Sequence, residues 1–301
     1  MKKIIFIFMI ILLSGFVFAQ NSISSSEIKI GVYVLSIGKF DVGTGSFSAD
    51  FYLSMNCKDI CPLQDFEFSN GRATSVDKII DNPNEKFYRI QASLIAPIDL
   101  KKFPFDSQAL PIIIEDKKAT VEKLNYVVDE SQSGIDSAVF FTGWQMGEWS
   151  ASVDEHYYEP YDETYSRYTF SIPIYRLMFN SILKTFLPIF FIVLVMLSSF
   201  FLDPDKITTR LAMDGSALVA SVMFHISIAN QIPPLGYLTF ADKFMIMTYF
   251  ILLLSFIMNV FMLELYERKK TELVNKIHKK TEYISFIVVA FLYTLLFIFG
   301  L

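Results

Sequence analysis

Cysteine is nearly absent: Cys57 and Cys61 are the two in 301 residues. Histidine is as scarce, with His156, His225 and His278 far from both cysteines, so the chain lacks the clustered thiolate and imidazole ligands of a zinc site. No metal centre and no cofactor is expected. There is no His-Glu-x-x-His, no Gly-x-Ser-x-Gly and no phosphate loop, which speaks against an enzyme. Basic excess is missing too. The net charge is −5, so no nucleic-acid partner is expected. Internal repeats and low-complexity tracts are also lacking, and inverted repeats with broken helices, the mark of a transporter, are not seen.

What is abundant is apolar residue, 53% of the chain, against about 45–50% in an ordinary soluble domain. The excess is concentrated. Met1-Lys2-Lys3 followed by an apolar run and Ala19 reads as a secretory signal peptide over 1–19. The other reading is a further membrane helix, against which the shortness of the run counts. Residues 20–176 hold no long apolar run. Alternation at 29–34, 46–56, 87–94, 109–114 and 168–174 marks strands. Turn signals at Gly43-Thr44-Gly45, Asn70-Gly71, Asn82-Pro83-Asn84 and Glu159-Pro160 separate them. This rhythm fits a β-sandwich or a barrel. In an oxidising compartment Cys57 and Cys61 are a possible disulfide; two small buried residues is the alternative.

From 177 to 301 four stretches, about 177–202, 206–232, 239–266 and 281–300, are long and apolar enough to span a bilayer as helices. Arg268, Lys269, Lys270, Lys276, Lys279 and Lys280 fall in the connection at about 267–280, which the positive-inside rule places in the cytoplasm. The N-terminal domain and the C-terminus are then both outside, in agreement with the signal peptide. The expected location is a bacterial plasma membrane, crossed several times.

The second span differs from the others. It carries Arg210, Asp214 and His225, and charge in hydrocarbon costs several kcal/mol unless paired or wet. Steps of four and three give one stripe: Thr208, Ala212, Ser216, Val219, Met223, Ile226 and Asn230. Small polar residues at one end and apolar ones at the other suit a wet pore mouth and a hydrophobic gate of Val219, Met223 and Ile226. From this stretch alone, a buried helix packed through small residues is the favoured reading. One such stripe cannot enclose a channel; several copies around an axis can.

Phe103-Pro104-Phe105-Asp106-Ser107-Gln108, set between two strands, resembles the signature loop of the pentameric ligand-gated ion channels, the Cys-loop receptor superfamily. The positions of the two cysteines that close that loop in animal members hold Ala96 and Leu110, as in the prokaryotic branch. Tyr52-Leu53-Ser54, Phe140-Phe141-Thr142-Gly143-Trp144, Arg176 twelve residues before Pro188, and Asn230-Gln231-Ile232-Pro233 are similar to family positions in the same order. The outer domain is shortened after Asp59, where the family has part of its agonist wall.

The resemblance implies an Ig-like extracellular β-sandwich followed by a four-helix transmembrane bundle, a homopentamer, and opening by an unknown small ligand or by protons. It implies coupling through Pro104, Phe105, Asp106, Arg176, Pro233 and Tyr237, with Pro104 and Phe105 pressing on the connection 233–237. It implies ligand contacts from the aromatic hairpin residues Tyr157, Tyr158 and Tyr161 and, across the subunit interface, Tyr52. Asp205, Thr208 and Thr209 fall at the inner mouth, where monovalent cations are the expected permeant ions. Asp214 falls off the stripe and is expected to pair with a neighbouring helix. A membrane-anchored binding or assembly protein that conducts nothing is the competing reading.

Overall fold

The computed structural model describes residues 26–58 and 65–300. The signal peptide and Cys61, and with it the Cys57–Cys61 pairing, lie outside the described residues. Eleven strands come first among these: β1 (Ser26–Ile37), β2 (Ser46–Cys57), β3 (Phe66–Phe68), β4 (Gly71–Asp81), β5 (Glu85–Ile95), β6 (Ser107–Asp116), β7 (Leu124–Val128), β8 (Gly134–Ile135), β9 (Trp144–Met146), β10 (Ser150–Tyr158) and β11 (Glu163–Arg176). They form a six-stranded sheet in the order β4-β5-β2-β1-β7, with β8 beside β1. The second sheet has five strands in the order β10-β11-β6-β3, with β9 beside β11.

Alternation decides which face is buried. On β5, Tyr88, Ile90, Ala92 and Leu94 point inward and their neighbours outward. On β11, Tyr168, Phe170, Ile172 and Ile174 do the same from the opposite sheet. Ile28, Ile30, Phe51, Leu53, Leu110 and Ile112, each fully buried, fill the space between. This is a β-sandwich, one of the two forms that the strand rhythm allowed.

A single side chain staples the sheets at one corner. Asn70, in the turn before β4, donates to the carbonyls of Ile95 (3.0 Å) and Pro111 (2.8 Å) and accepts from Ile113 N (3.2 Å). Gly45, at φ 73°, is required in its turn, since a Cβ there would lie 2.2 Å from the carbonyl oxygen of Ala96.

Four helices follow: α1 (Met178–Ser199), α2 (Ile207–Ala229), α3 (Phe240–Glu267) and α4 (Thr271–Gly300). All four are long and apolar enough to cross a membrane. With its β domain this makes the chain a multi-pass membrane protein. A capping box starts α3: Thr239 Oγ1 accepts from Asp242 N, and Asp242 Oδ2 accepts from Thr239 N. The connection between the last two helices is shorter than the sequence reading of 267–280. Only 268–270 lie between α3 and α4, so Lys276, Lys279 and Lys280 stand on the first turns of α4. Charged residues there hide the helix from a hydropathy scan while leaving its backbone free to coil.

Removing the staple in Asn70→Ala deletes three hydrogen bonds worth about 0.5–1.5 kcal/mol each. Thermal unfolding of the purified protein, followed by near-UV circular dichroism, is expected to show a loss of about 2–3 kcal/mol.

Candidate functional site

Three places in the molecule carry the residues singled out by the sequence. The first is the free flank of α2. Thr208, Ala212, Ser216, Val219, Met223, Ile226 and Asn230 are all exposed in the single chain. Val219 and Met223 keep 63% and 64% of their surface accessible, as do large apolar side chains on the outer faces of α1 and α4. The opposite flank holds Ile207, Arg210, Asp214, Ala217, Ser221 and Ile228, which are buried against the other helices.

The two buried charges have hydrogen-bond partners on neighbouring segments, except at Arg210 Nε. Asp214 accepts from Ser255 Oγ (2.9 Å) and Asn259 Nδ2 (2.8 Å) on α3 and from Ser199 Oγ (3.4 Å) on α1. Arg210 donates to the carbonyl of Leu202 and meets His278 Nδ1 on α4 at 2.9 Å. Each charge thus bonds mainly to neutral groups of the neighbouring helices, which is how a membrane bundle tolerates it. Asp205, Thr208 and Thr209 lie exposed at the other end of the same element.

The second place is the junction of the two domains. Asp106 is 3% exposed; its Oδ1 accepts from Arg176 Nε (2.6 Å) and its Oδ2 from Gln108 Nε2 (2.9 Å). The Arg176 guanidinium also lies over the rings of Trp144 (4.5 Å) and Phe103 (5.1 Å). Below this, the β5–β6 loop joins the helices through its backbone. Phe240 N donates to Lys101 O (2.8 Å), Ala241 N to Phe103 O (3.0 Å), and Leu100 N to Tyr237 Oη (3.0 Å). Phe105 inserts among the helix ends, stacked on Phe186 of α1 (5.6 Å) and close to Phe240 of α3 and Phe297 of α4, and Leu235 of the connection 233–237 packs against the same apolar cluster. A long aromatic ring finds more apolar surface there than on a solvated loop. Pro104 follows a cis peptide bond and borders a small cleft with Arg176 and Gln231; Pro233 is half-buried in the connection.

The third place is the β10–β11 hairpin. Adjacent strand positions face opposite ways, so Tyr157 and Tyr158 do not line one site. Tyr157 Oη donates to Asp162 Oδ1 (3.0 Å) on the exposed face, and Tyr161 is 73% exposed at the tip. Tyr158 instead donates to the buried Glu115 (2.8 Å), and burial together with that carboxylate pushes its phenol up. Tyr52 stacks on Phe87 in the other sheet, 5.0 Å between centroids. One chain therefore does not bring Tyr52 to the hairpin tyrosines.

Sequence reasoning missed two clusters. Glu115, 2% exposed, is the hub of one: Arg167 Nε donates to it, and His156 Nδ1 lies 3.4 Å from it and 2.5 Å from Arg167 Nη2. Cross-strand register assembles it, pairing Arg167 with Glu115 on one side and with Asp154 on the other. In the second, His225 on α2 lies 2.9 Å from Tyr249 Oη and 3.1 Å from Asp242 Oδ1, both on α3. A histidine inside an apolar span was the signal for it.

No family model matches the chain. Over 248 residues it is 23% identical to a protein of Gloeobacter violaceus named as a proton-gated ion channel, covering 74% of this chain and 68% of that protein. That match joins a β domain, four membrane-length helices and the ordered set of motifs from Phe103 to Pro233. This is the architecture of the pentameric ligand-gated ion channels. The three places are thus an exposed flank of α2, the junction where sandwich meets bundle, and the β10–β11 hairpin.

The Asp106–Arg176 pair is the polar centre of the junction between sandwich and bundle. Arg176→Ala leaves a buried carboxylate unpaired, expected to cost about 3–5 kcal/mol. Asp106→Asn combined with Arg176→Ala is expected to cost clearly less than the sum of the single changes, a coupling of at least about 1 kcal/mol in a double-mutant cycle of thermal stability.

Proposed function

We propose that this chain is the subunit of a homopentameric channel, selective for monovalent cations, in which a stimulus at the outer domain opens a pore lined by α2. The observation that carries this reading is the sidedness of α2. Its ionised side chains turn into the bundle of one subunit, and its small and apolar stripe turns out of it. A stripe with Ser216 toward one end and Val219, Met223 and Ile226 beyond suits a closed gate that excludes water through its apolar wall. Cation preference follows from the acidic outer domain and from Asp205 near the inner mouth, both of which concentrate positive ions. The orientation that fits is a plasma-membrane protein with the sandwich and C-terminus outside and the lysine-rich 268–280 segment inside.

Protons are the favoured stimulus. The Gloeobacter relative is named for proton gating. In the hairpin, His156 Nδ1 lies 2.5 Å from Arg167 Nη2 and 3.4 Å from the buried Glu115, to which Arg167 also donates, so an ionisable ring sits inside a charged cross-strand cluster. A stimulus moves the gate only by the difference in its affinity for closed and open states.

Two measurements test these statements. Recordings from the protein reconstituted in planar bilayers are expected to show cation currents on outer acidification. Met223→Ser wets the gate and is expected to raise basal current about tenfold, equivalent to ~1.4 kcal/mol on the closed–open equilibrium. Silence of both the natural protein and this variant at every pH would leave the non-conducting reading in place. Separately, His156→Gln is expected to move the half-activating pH by about 0.5 unit, or ~0.7 kcal/mol, with assembly unchanged on size exclusion.

A further inference from the structure

Where sandwich meets bundle, a cleft of about 200 Å³ opens between the end of β11, the first turns of α1 and the residues after α2. Six side chains with hydrogen-bond donors border it: Arg176, Asn180, Ser181, Lys184, Thr185 and Gln231. No acidic residue lines it. Asp106, outside the cleft wall, engages Arg176 through Nε, so both Nη groups of the guanidinium keep their donors.

These donors are short of acceptors. Among the described residues Lys184 makes no ion pair, and the side chains of Asn180, Ser181 and Thr185 make no hydrogen bond. Gln231 is engaged, with Ser227 O at 3.3 Å. Thr185 is the most telling. It is 7% exposed, and a hydroxyl so enclosed ordinarily bonds to the carbonyl one turn back, as Thr248 does to Phe244 O at 2.9 Å. Thr185 borders the cleft without such a bond. Lys184 is the one charge in α1, about two turns in, at a depth where an unmatched ammonium is costly. Leu177 caps α1 without a side-chain acceptor, so the partial positive charge of the helix start adds to the same field.

Charge and donor count identify the occupant. Arg176 and Lys184 set against Asp106 leave an excess of one positive charge, and a helix start adds about half a charge. A cation is excluded and an anion is called for. A planar carboxylate offers two oxygens in one plane. The donors here come from a strand end and from successive turns of a helix, and they are matched better by oxygens pointing in several directions. A guanidinium fork fits such an ion through two parallel bonds.

We propose that this cleft binds one tetrahedral oxyanion of the phosphate or sulfate class, held by the Nη groups of Arg176 and by Lys184, with Thr185, Ser181 and Asn180 completing its shell. The ion supplies the counter-charge that Lys184 lacks and ties the last residue of β11 to the start of α1.

The test reads binding, needs no current and so stands apart from the channel reading. The purified, delipidated full-length protein is equilibrated with radiolabelled inorganic phosphate at fixed ionic strength in excess chloride, and bound ion is counted after dialysis. Saturable uptake of about one phosphate per chain is expected, displaced by sulfate and far less readily by acetate. Lys184→Gln should weaken binding about tenfold and Thr185→Val about threefold, the losses of a charge-assisted and of an ordinary hydrogen bond. Lys184→Arg should retain most of it, and Lys102→Gln, an exposed lysine outside the cleft, should change nothing. Absence of saturable uptake would overturn the proposal. So would unaltered uptake in a Lys184→Gln protein of natural circular dichroism, or displacement by acetate as readily as by sulfate. Displacement by short-chain phosphatidylglycerol at lower concentration than sulfate would assign the cleft to a lipid headgroup and overturn the free ion.

Discussion

Water solvates a charge for nothing, hydrocarbon does not, and α2 carries both an arginine and an aspartate at membrane depth. The rotation of this helix about its own axis is settled by that fact. Arg210 and Asp214, one turn apart, must find donors and acceptors on neighbouring helices. Asp214 finds Ser199, Ser255 and Asn259; Arg210 finds the end of α1 and His278 on α4. Once those bonds are made, the flank from Thr208 to Asn230 has no freedom to turn inward. In the proposed channel, a wall built this way would be specified by what its other side requires and not by any attraction between the residues of the exposed flank.

The outer domain is tied to this bundle by two different kinds of contact. One is ionic and local: Asp106 with Arg176, enclosed by Trp144 and Phe103. Enclosure by aromatic faces suits a guanidinium, which is weakly hydrated and planar. The other is apolar: Phe105 set among Phe186, Phe240 and Phe297, so that one loop residue touches three helices at once. The ion pair sets direction, and the ring supplies area. Together they give a displacement of the sandwich a short route to the tops of α1, α3 and α4.

Much of this was legible in the sequence, and the remainder was hidden for physical reasons. Strands could be read because period-two burial writes itself into the residue order, as on β5 and β11. Three helices were readable by length and hydropathy. The beginning of α4 was not, because Lys276 and Lys280 are tolerated by a helix but look like a loop to a membrane scale. The phase of α2 followed from small residues at helical spacing, whereas its partners, 8 to 68 residues away in the chain, did not. Glu115, His156 and Arg167 were missed because only the register of three strands brings them together. The landing place of Phe105 depends on where four helix ends converge, which no local pattern encodes.

The start of α3 has a mechanical meaning of its own. Its first amides are completed by carbonyls of Lys101 and Phe103, which belong to the sandwich. Those links are made of main chain, so no exchange of side chains on the loop abolishes them. Pulling the loop away would strand two donors at a membrane boundary, where little can replace their partners. Sandwich and α3 are thereby coupled through main chain, and relative movement of α2 would fall on the connection 230–238 around Gly236, which leads from the end of α2 to the cap at Thr239.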